Sequence, residues 1–307
     1  ESLMQFETFE PTQSQRSIYE MSEHGTNRCV AFRLEGPVDE IRLRRAIQQV
    51  VERCPPFAYR FLKMDGALKI LLSHEHQGEL HVMEVGEGAQ DALHALIENM
   101  RHRQFRLDGG APYQFCLLRG KATHHFVFVC HPALIDRFSI KPLMVALSAA
   151  YRGDPLPGNL GLPQPLLLET EKSRMEGMGY QESLRFWTQL IRGSTFDWRP
   201  ARVEGEDADT YFSVPVAAAT RASLARTARD FGIGLDQLLL FTFHLFLFRM
   251  TRSETVLTRY AHRIRTGAPD QIGYSESHPV FKSLFAPHQT VAGFLRQAAR
   301  LYAQVLH

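Results

Sequence analysis

Cysteine is scarce in this chain, and its placement excludes more than it permits. The four among 307 residues are Cys29, Cys54, Cys116 and Cys130, and no two stand in C-x-x-C spacing. Neither a zinc knuckle nor a dithiol redox motif is therefore indicated, and reduced thiols in a cytoplasmic protein are expected. Charge of one sign is also missing. The 35 basic and 33 acidic residues leave +2 with histidine neutral, so no strong field recruits nucleic acid or an anionic membrane. Long apolar runs are absent as well. The most apolar stretch, residues 235–250, contains Asp236, Gln237 and His244 and is too short to span a bilayer. It reads as a buried helix. Residues 1–11 are acidic and polar rather than cationic and then apolar, unlike a secretion signal. The last residues stop inside a helical pattern, and the chain is expected to be a fragment of something longer.

What is present is ordinary globular material, 44% hydrophobic and 22% charged, with enough length for two lobes. The first half alternates helices and strands. Thr12-Gln-Ser-Gln is an N-cap opening a helix to about Glu23. Residues 29–35 alternate like a strand, and a helix starting near Pro37 carries Ile41, Leu43, Ala46, Ile47 and Val50 on one face. Residues 59–64 and 68–72 flank the turn Asp65-Gly66, a hairpin signal. Residues 89–103 form a helix, 113–118 and 125–130 form strands, and 138–151 return as a helix. The second of those strands is apolar on both faces and belongs in the middle of a sheet.

Four prolines and three glycines between Arg152 and Pro165 read as an inter-lobe linker. Domains are thus expected at 1–155 and 166–307, joined by 156–165. The second half repeats the mixture: a helix at 180–191, a strand at 210–214, helices at 218–230 and 235–250, a strand at 255–261 and a helix at 291–306. Phe241, Phe243, Phe246 and Phe248 are expected to form core.

The stretch His131-Pro-Ala-Leu-Ile-Asp136-Arg137-Phe-Ser139 follows the central strand. It resembles the H-H-x-x-x-D-G signature of condensation domains from nonribosomal peptide synthetases. His131 and Asp136 match, whereas Pro132 stands for the second His and Arg137 for the Gly. Four further segments resemble the same family in order. Thr12-Gln-Ser-Gln-Arg-Ser-Ile-Tyr is similar to an S-x-A-Q-x-R-L-W opening. Arg53-Cys-Pro-Pro-Phe-Ala-Tyr-Arg-Phe stands where R-H-E-x-L-R-T-R-F is usual, with Ala58 for the middle Arg. Phe105-Arg-Leu-Asp before Pro112 is like F-D-L-x-x-G-P-L. Residues 231–249 resemble the long helix of the second lobe, and Ile272-Gly-Tyr-Ser-Glu-Ser-His-Pro is similar to I-G-x-F-V-N-T-x-P.

The resemblance implies an α/β (α+β sandwich) fold of two chloramphenicol-acetyltransferase-like lobes in a V, the C-terminal lobe incomplete. It also implies a passage in which carrier proteins present phosphopantetheine-tethered substrates. No cofactor is expected to bind directly, and no metal: His74 and His76 flank Glu75 without a third ligand. Partners would be carrier-protein and adjacent synthetase domains and a tailoring enzyme in trans, without nucleic acid or membrane.

Asp136 is read as a structural ion pair, with Arg16, Arg60 or Arg137 as the expected partner. His131 is read as a structural histidine. A displaced acid/base role for His131, Asp136 or Ser139 is the alternative. Proline carries neither a titratable side chain nor an N–H, so ordinary amide formation is expected to be lost. Arg137 is expected to plug the passage or to bind an anion. The domain is read as a platform for carrier proteins or a tailoring enzyme. Two alternatives remain: an enzyme that modifies a carrier-bound thioester by dehydration, epimerisation or acyl transfer, and a truncated structural remnant. Thr123-His124-His125 lacks the following Asp, and Asp230-Phe231-Gly232 is a chance kinase-like triplet.

Overall fold

A strand that is apolar on both faces must be covered on both. The computed structural model, which describes residues 7–21, 27–73, 78–85, 89–107, 110–121, 123–177, 179–195, 215–263, 270–286 and 288–306, gives such a strand two covers. The chain divides into two units, residues 1–177 with 263–277, and residues 178–262 with 278–307.

The first unit begins with β1 (Thr8–Phe9), α1 (Gln13–Met21), β2 (Arg28–Glu35), α2 (Glu40–Glu52), β3 (Tyr59–Met64) and β4 (Ala67–Leu72). It continues through β5 (Leu80–Glu84), α3 (Ala89–His102), β6 (Tyr113–Arg119), β7 (Thr123–Cys130), α4 (Ile140–Arg152) and α5 (Gln164–Glu176). Four strands form one sheet in the order β2-β7-β6-β5. β7 is antiparallel to both neighbours, and β5 is parallel to β6. On one face Phe126, Phe128, Phe115 and Leu117 meet Ile47 and Val50 of α2 and Leu143 and Leu147 of α4. On the other, Val127, Cys116 and Leu118 meet Leu93 and Leu96 of α3. The period-2 alternation of side chains thus sends each strand into two cores.

The hairpin β3–β4 turns on Asp65 and Gly66, both at positive φ (50° and 77°). That pair of signs matches the twist of a two-residue hairpin and favours Asp-Gly there. β1 adds to β4 as a third strand. Residues 156–165 run along the first unit, with Leu160 N–H donating to the Arg53 carbonyl and Leu162 N–H to that of Ile272. Gly161 and Ile272 form a parallel bridge. A β-carbon at Gly161 would stand 2.6 Å from Pro56 Cδ, and one at Gly273 would stand 2.8 Å from Leu162 Cβ. Only glycine lets these backbones approach so closely.

The second unit holds α6 (Gly179–Ile191), α7 (Ala218–Asp230), α8 (Leu235–Thr251) and β8 (Thr255–Arg259). The two-residue strands β9 (His262–Arg263) and β10 (Glu276–Ser277) bracket the returning segment, and β11 (Val280–Leu284) and α9 (Val291–Leu306) follow. β11 is antiparallel to β8. Phe241, Leu247, Val256, Phe281, Phe294 and Tyr302 form its core.

One expectation is corrected here. α8 is not buried all round: Leu238, Phe241, His244 and Leu247 face the core at three-residue spacing. Leu239, Phe243, Phe246 and Met250 are 51%, 46%, 51% and 62% exposed. Phe241 is core and Phe248 stacks on Phe285, but Phe243 and Phe246 stack on each other outside it. A single core-facing stripe buries only part of a helix, however apolar its remaining faces. Among the described residues no single helix is long and apolar enough to cross a membrane. The strand expected at 210–214 and the His74, Glu75 and His76 cluster lie outside the described residues.

Replacing Gly161 by Ala should lower stability by about 1–3 kcal/mol through overpacking against prolines, read as a lower urea midpoint. Gly158→Ala, with open space around it, should leave that midpoint unchanged or slightly higher. Equal losses at both positions would contradict the close approach.

Candidate active-site loop

Residues 131–139 join the central strand β7 to α4, and their geometry follows from two local patterns. Leu134 N–H donates to the His131 carbonyl at 3.0 Å, closing a turn with Pro132 in its second position. Proline suits that position because its ring presets φ. Asp136 then caps the 3-10 turn Arg137–Ser139, its side chain accepting from Ser139 N–H. Asp-x-x-Ser is a helix-opening pattern, and it leads directly into α4.

Asp136 is 0% exposed, and four serine donors converge on it. Its Oδ1 accepts from Ser139 N–H at 2.9 Å and lies 2.8 Å from Ser139 Oγ. Its Oδ2 accepts from Ser275 N–H at 2.8 Å and Ser275 Oγ at 2.9 Å. The Ser139 hydroxyl also lies 2.7 Å from the Gly273 carbonyl and accepts from Gly273 N–H at 3.0 Å. Its one proton and one of its lone pairs are thus engaged with Asp136 and Gly273. The Asp136 N–H donates to the Gly273 carbonyl at 3.1 Å.

The expected arginine partner is replaced by these serines: among the described residues no arginine hydrogen-bonds to Asp136. Arg16 pairs with Glu10 at 3.7 Å on the surface. Arg60, 3% exposed, donates to the Phe57 and Tyr59 carbonyls. Arg137 turns to Glu276, its Nε 3.2 Å from Oε1 and its backbone N–H 3.3 Å from Oε2. Arg28 approaches the same carboxylate at 3.9 Å and donates through Nε to the Ile135 carbonyl. Glu276 is 1% exposed, and a carboxylate so deep requires such partners.

His131 is buried between the rings of Tyr19 and Phe61, with centroids 6.0 and 6.2 Å away. Its Nδ1 accepts from Ala133 N–H at 3.2 Å. A backbone N–H can only donate, so this contact assigns the acceptor role to Nδ1 and, in the neutral ring, the proton to Nε2. Burial lowers its pKa from 6.5 to about 4, because the charged ring loses water. In this setting the ring remains neutral near pH 7 with its acceptor nitrogen occupied. Burial, and then the Glu276 carboxylate, push Tyr274 upward. Burial holds Cys130, at the end of β7, at about 12.

The opening motif also finds its place. Gln15 and Gln164 exchange reciprocal amide hydrogen bonds at 3.1 and 2.7 Å, while Thr12 N–H donates to Gln15 and Gln164 N–H to the Tyr59 hydroxyl. Ala58, in the place of the middle Arg, is 2% exposed beneath the hairpin. Sequence reasoning singled out Gly273, Ser275 and Glu276 only within the Ile272–Pro279 segment, without giving them roles, and missed Arg28. Asp136-x-x-Ser139 was the signal available for the cap, and Ser275-Glu276-Ser277 carried no mark that it would surround Asp136 and Arg137.

A family model described as Condensation domain matches residues 8–282. The chain is 26% identical over 286 residues to a linear gramicidin synthase of Brevibacillus parabrevis, covering 87% of this chain and 6% of that protein. It is 24% identical over 248 residues to surfactin synthase subunit 1 of Bacillus subtilis (strain 168), covering 78% and 7%. It therefore spans only a small part of these relatives. Among solved structures, the condensation domain from Monacolin K polyketide synthase MokA aligns with a TM-score of 0.82 at 15% identity, covering 98% of this chain and 73% of that one. The epimerization domain from the third module of a tyrocidine synthetase aligns with a TM-score of 0.82 at 16% identity, covering 98% and 72%. These likenesses establish the mixed α/β fold.

Asp136→Ala should cost about 3 kcal/mol, since it strands buried donors, and the loss should appear in urea denaturation. Acid should destabilise the fold on a defined interval. The buried imidazoles His131 and His244 both fall from 6.5 to about 4. The unfolded chain then binds more protons between those values, so stability is full above about pH 6.5 and declines as pH falls toward 4. Melting temperatures of His131→Leu and His244→Leu should each show a flatter acid limb than the parent. Limbs of unchanged steepness would contradict the burial argument.

Proposed function

Because this chain belongs to the condensation-domain family, we propose that it is an atypical member. In this reading it does not form peptide bonds and acts as a platform that binds carrier proteins or recruits a tailoring enzyme. One observation carries the reading: the loop offers no group ready to move a proton at neutral pH. Pro132 stands at the motif's second histidine and has no proton to exchange. His131 is neutral, buried and already accepting from Ala133 N–H. A general base needs an open lone pair and a pKa near the working pH, and His131 lacks both. The Ser139 hydroxyl and the Asp136 carboxylate are engaged with each other and with Gly273 and Ser275. That leaves them as fasteners of the loop rather than reactants, which also weighs against dehydration, epimerisation or acyl transfer.

Arg137 supports the same reading. Its guanidinium is tied to Glu276, in the place where the motif has a glycine with no side chain at all. The hydrogen bonding of the loop supports a retained fold, and a retained fold without an acid/base pair suits a binding role. Phosphopantetheine arms would enter as tethers on the carrier proteins, with no cofactor of the domain's own.

The test is a coupling assay on the purified protein with aminoacyl-loaded donor and acceptor carrier proteins, followed by intact-mass measurement, alongside a binding measurement with the same proteins. No condensed or modified product is expected, with measurable association that His131→Ala leaves unchanged. Product formation that vanishes in His131→Ala would overturn the platform reading. So would a complete lack of association with carrier proteins and tailoring enzymes.

A further inference from the structure

A concave surface lies wholly within the second unit, where α6, β11 and α9 line a groove of about 730 Å³. That volume is in the range of small-molecule sites, about 300–1,000 Å³. Phe186 and Leu190 of α6 and Leu301 of α9 supply apolar lining, and Lys282 and Ser283 of β11 and Arg300 of α9 supply polar groups. The polar groups are only partly engaged with the protein itself. Ser283 is 4% exposed, and its hydroxyl has no hydrogen-bond partner among the described residues. That hydroxyl has no exposure of its own, so the groove's accessible cationic donors are Lys282 and Arg300.

Lys282 gives one hydrogen bond, to the Leu190 carbonyl at 2.9 Å, and an ammonium has three to give. Arg300 enters no ion pair among the described residues. The lining contains two cations and no carboxylate. It is half apolar and half polar, with the two cations and the three amides Gln189, Gln297 and Gln304 beside the apolar residues.

We propose that this groove binds an amphipathic carboxylate, an acyl or aryl chain whose tail lies on Phe186, Leu190 and Leu301 while its anionic head meets Lys282 or Arg300. A neutral chain of the same length would satisfy the apolar lining and leave the cations unanswered. An anion adds charge-assisted hydrogen bonds, which are the stronger kind. The site is independent of the residues 131–139 loop and does not rest on the loss of amide formation.

The probe is decanoate, with decanol as its neutral counterpart, each titrated below its micellar or solubility limit and followed by calorimetry and by Trp187 fluorescence in a Trp198→Phe background. Trp187 packs against Phe186 with ring centroids 5.6 Å apart, so an occupant on Phe186 should alter its emission. Decanoate should bind saturably, at least about tenfold tighter than decanol. Lys282→Gln combined with Arg300→Gln should erase that preference while leaving decanol binding and the melting temperature unchanged. Leu284→Asp, at a lining residue that is 50% exposed, should weaken both ligands. Equal affinities for the two probes, insensitivity to the paired cation variant, or no saturable binding at all would each overturn the proposal.

Discussion

The buried carboxylate of Asp136 is the constraint around which the first unit is organised. A charged group with no exposure is tolerated only when its lone pairs are answered. The answers come from two distant stretches, Ser139 three residues on and Ser275 another 136 further along the chain. Satisfying that one group therefore fixes the start of α4, the path of residues 270–277 and, through Gly273 against Leu162, the run of residues 160–162. Gly161 against Pro55 and Pro56 extends the same chain of contacts to the turn before β3. Few of these residues are chemically reactive, yet each is held to a narrow choice.

The pairing of Arg137 with Glu276 shows how a loop can change at one position without coming apart. A long cation in place of a small residue brings its own need for a counter-charge, and Glu276 supplies it from within the buried layer, with Arg28 beside it. The three form a local unit. Loss of either arginine leaves the buried Glu276 charge less well answered, whereas Arg137, more than half exposed, keeps its contact with water.

Much of this architecture was legible in the residues. Period-2 and helical patterns placed β2, the β3–β4 hairpin, β6, β7 and α4 within a few residues, because each has a strong local signal: Asp65-Gly66 at the turn, Gly153 in the left-handed conformation after α4. Pro132 was legible as a residue without a proton. Its comfort as a turn residue was not, since that depends on the Leu134 to His131 hydrogen bond. The partner of Asp136 was misjudged for a physical reason. Charge suggests arginine, but the shape of the loop presents hydroxyls and backbone N–H groups instead. The exposed side of α8 was hidden by composition, which records that Phe243 and Phe246 are apolar and says nothing of what faces them.

The return of residues 263–277 to the first unit also has a consequence for how the chain is made. Synthesis proceeds from the N-terminus, and domains tend to fold as they emerge. The β2-β7-β6-β5 sheet can assemble once Cys130 has left the ribosome, but Ser275 and Gly273 are translated only after all of residues 178–262. For that interval the Asp136 loop is half answered, its Oδ2 still facing water or a temporary neighbour. The nascent first half is thus an intermediate by necessity, and its last fastening waits on the birth of a segment separated from it by most of another unit.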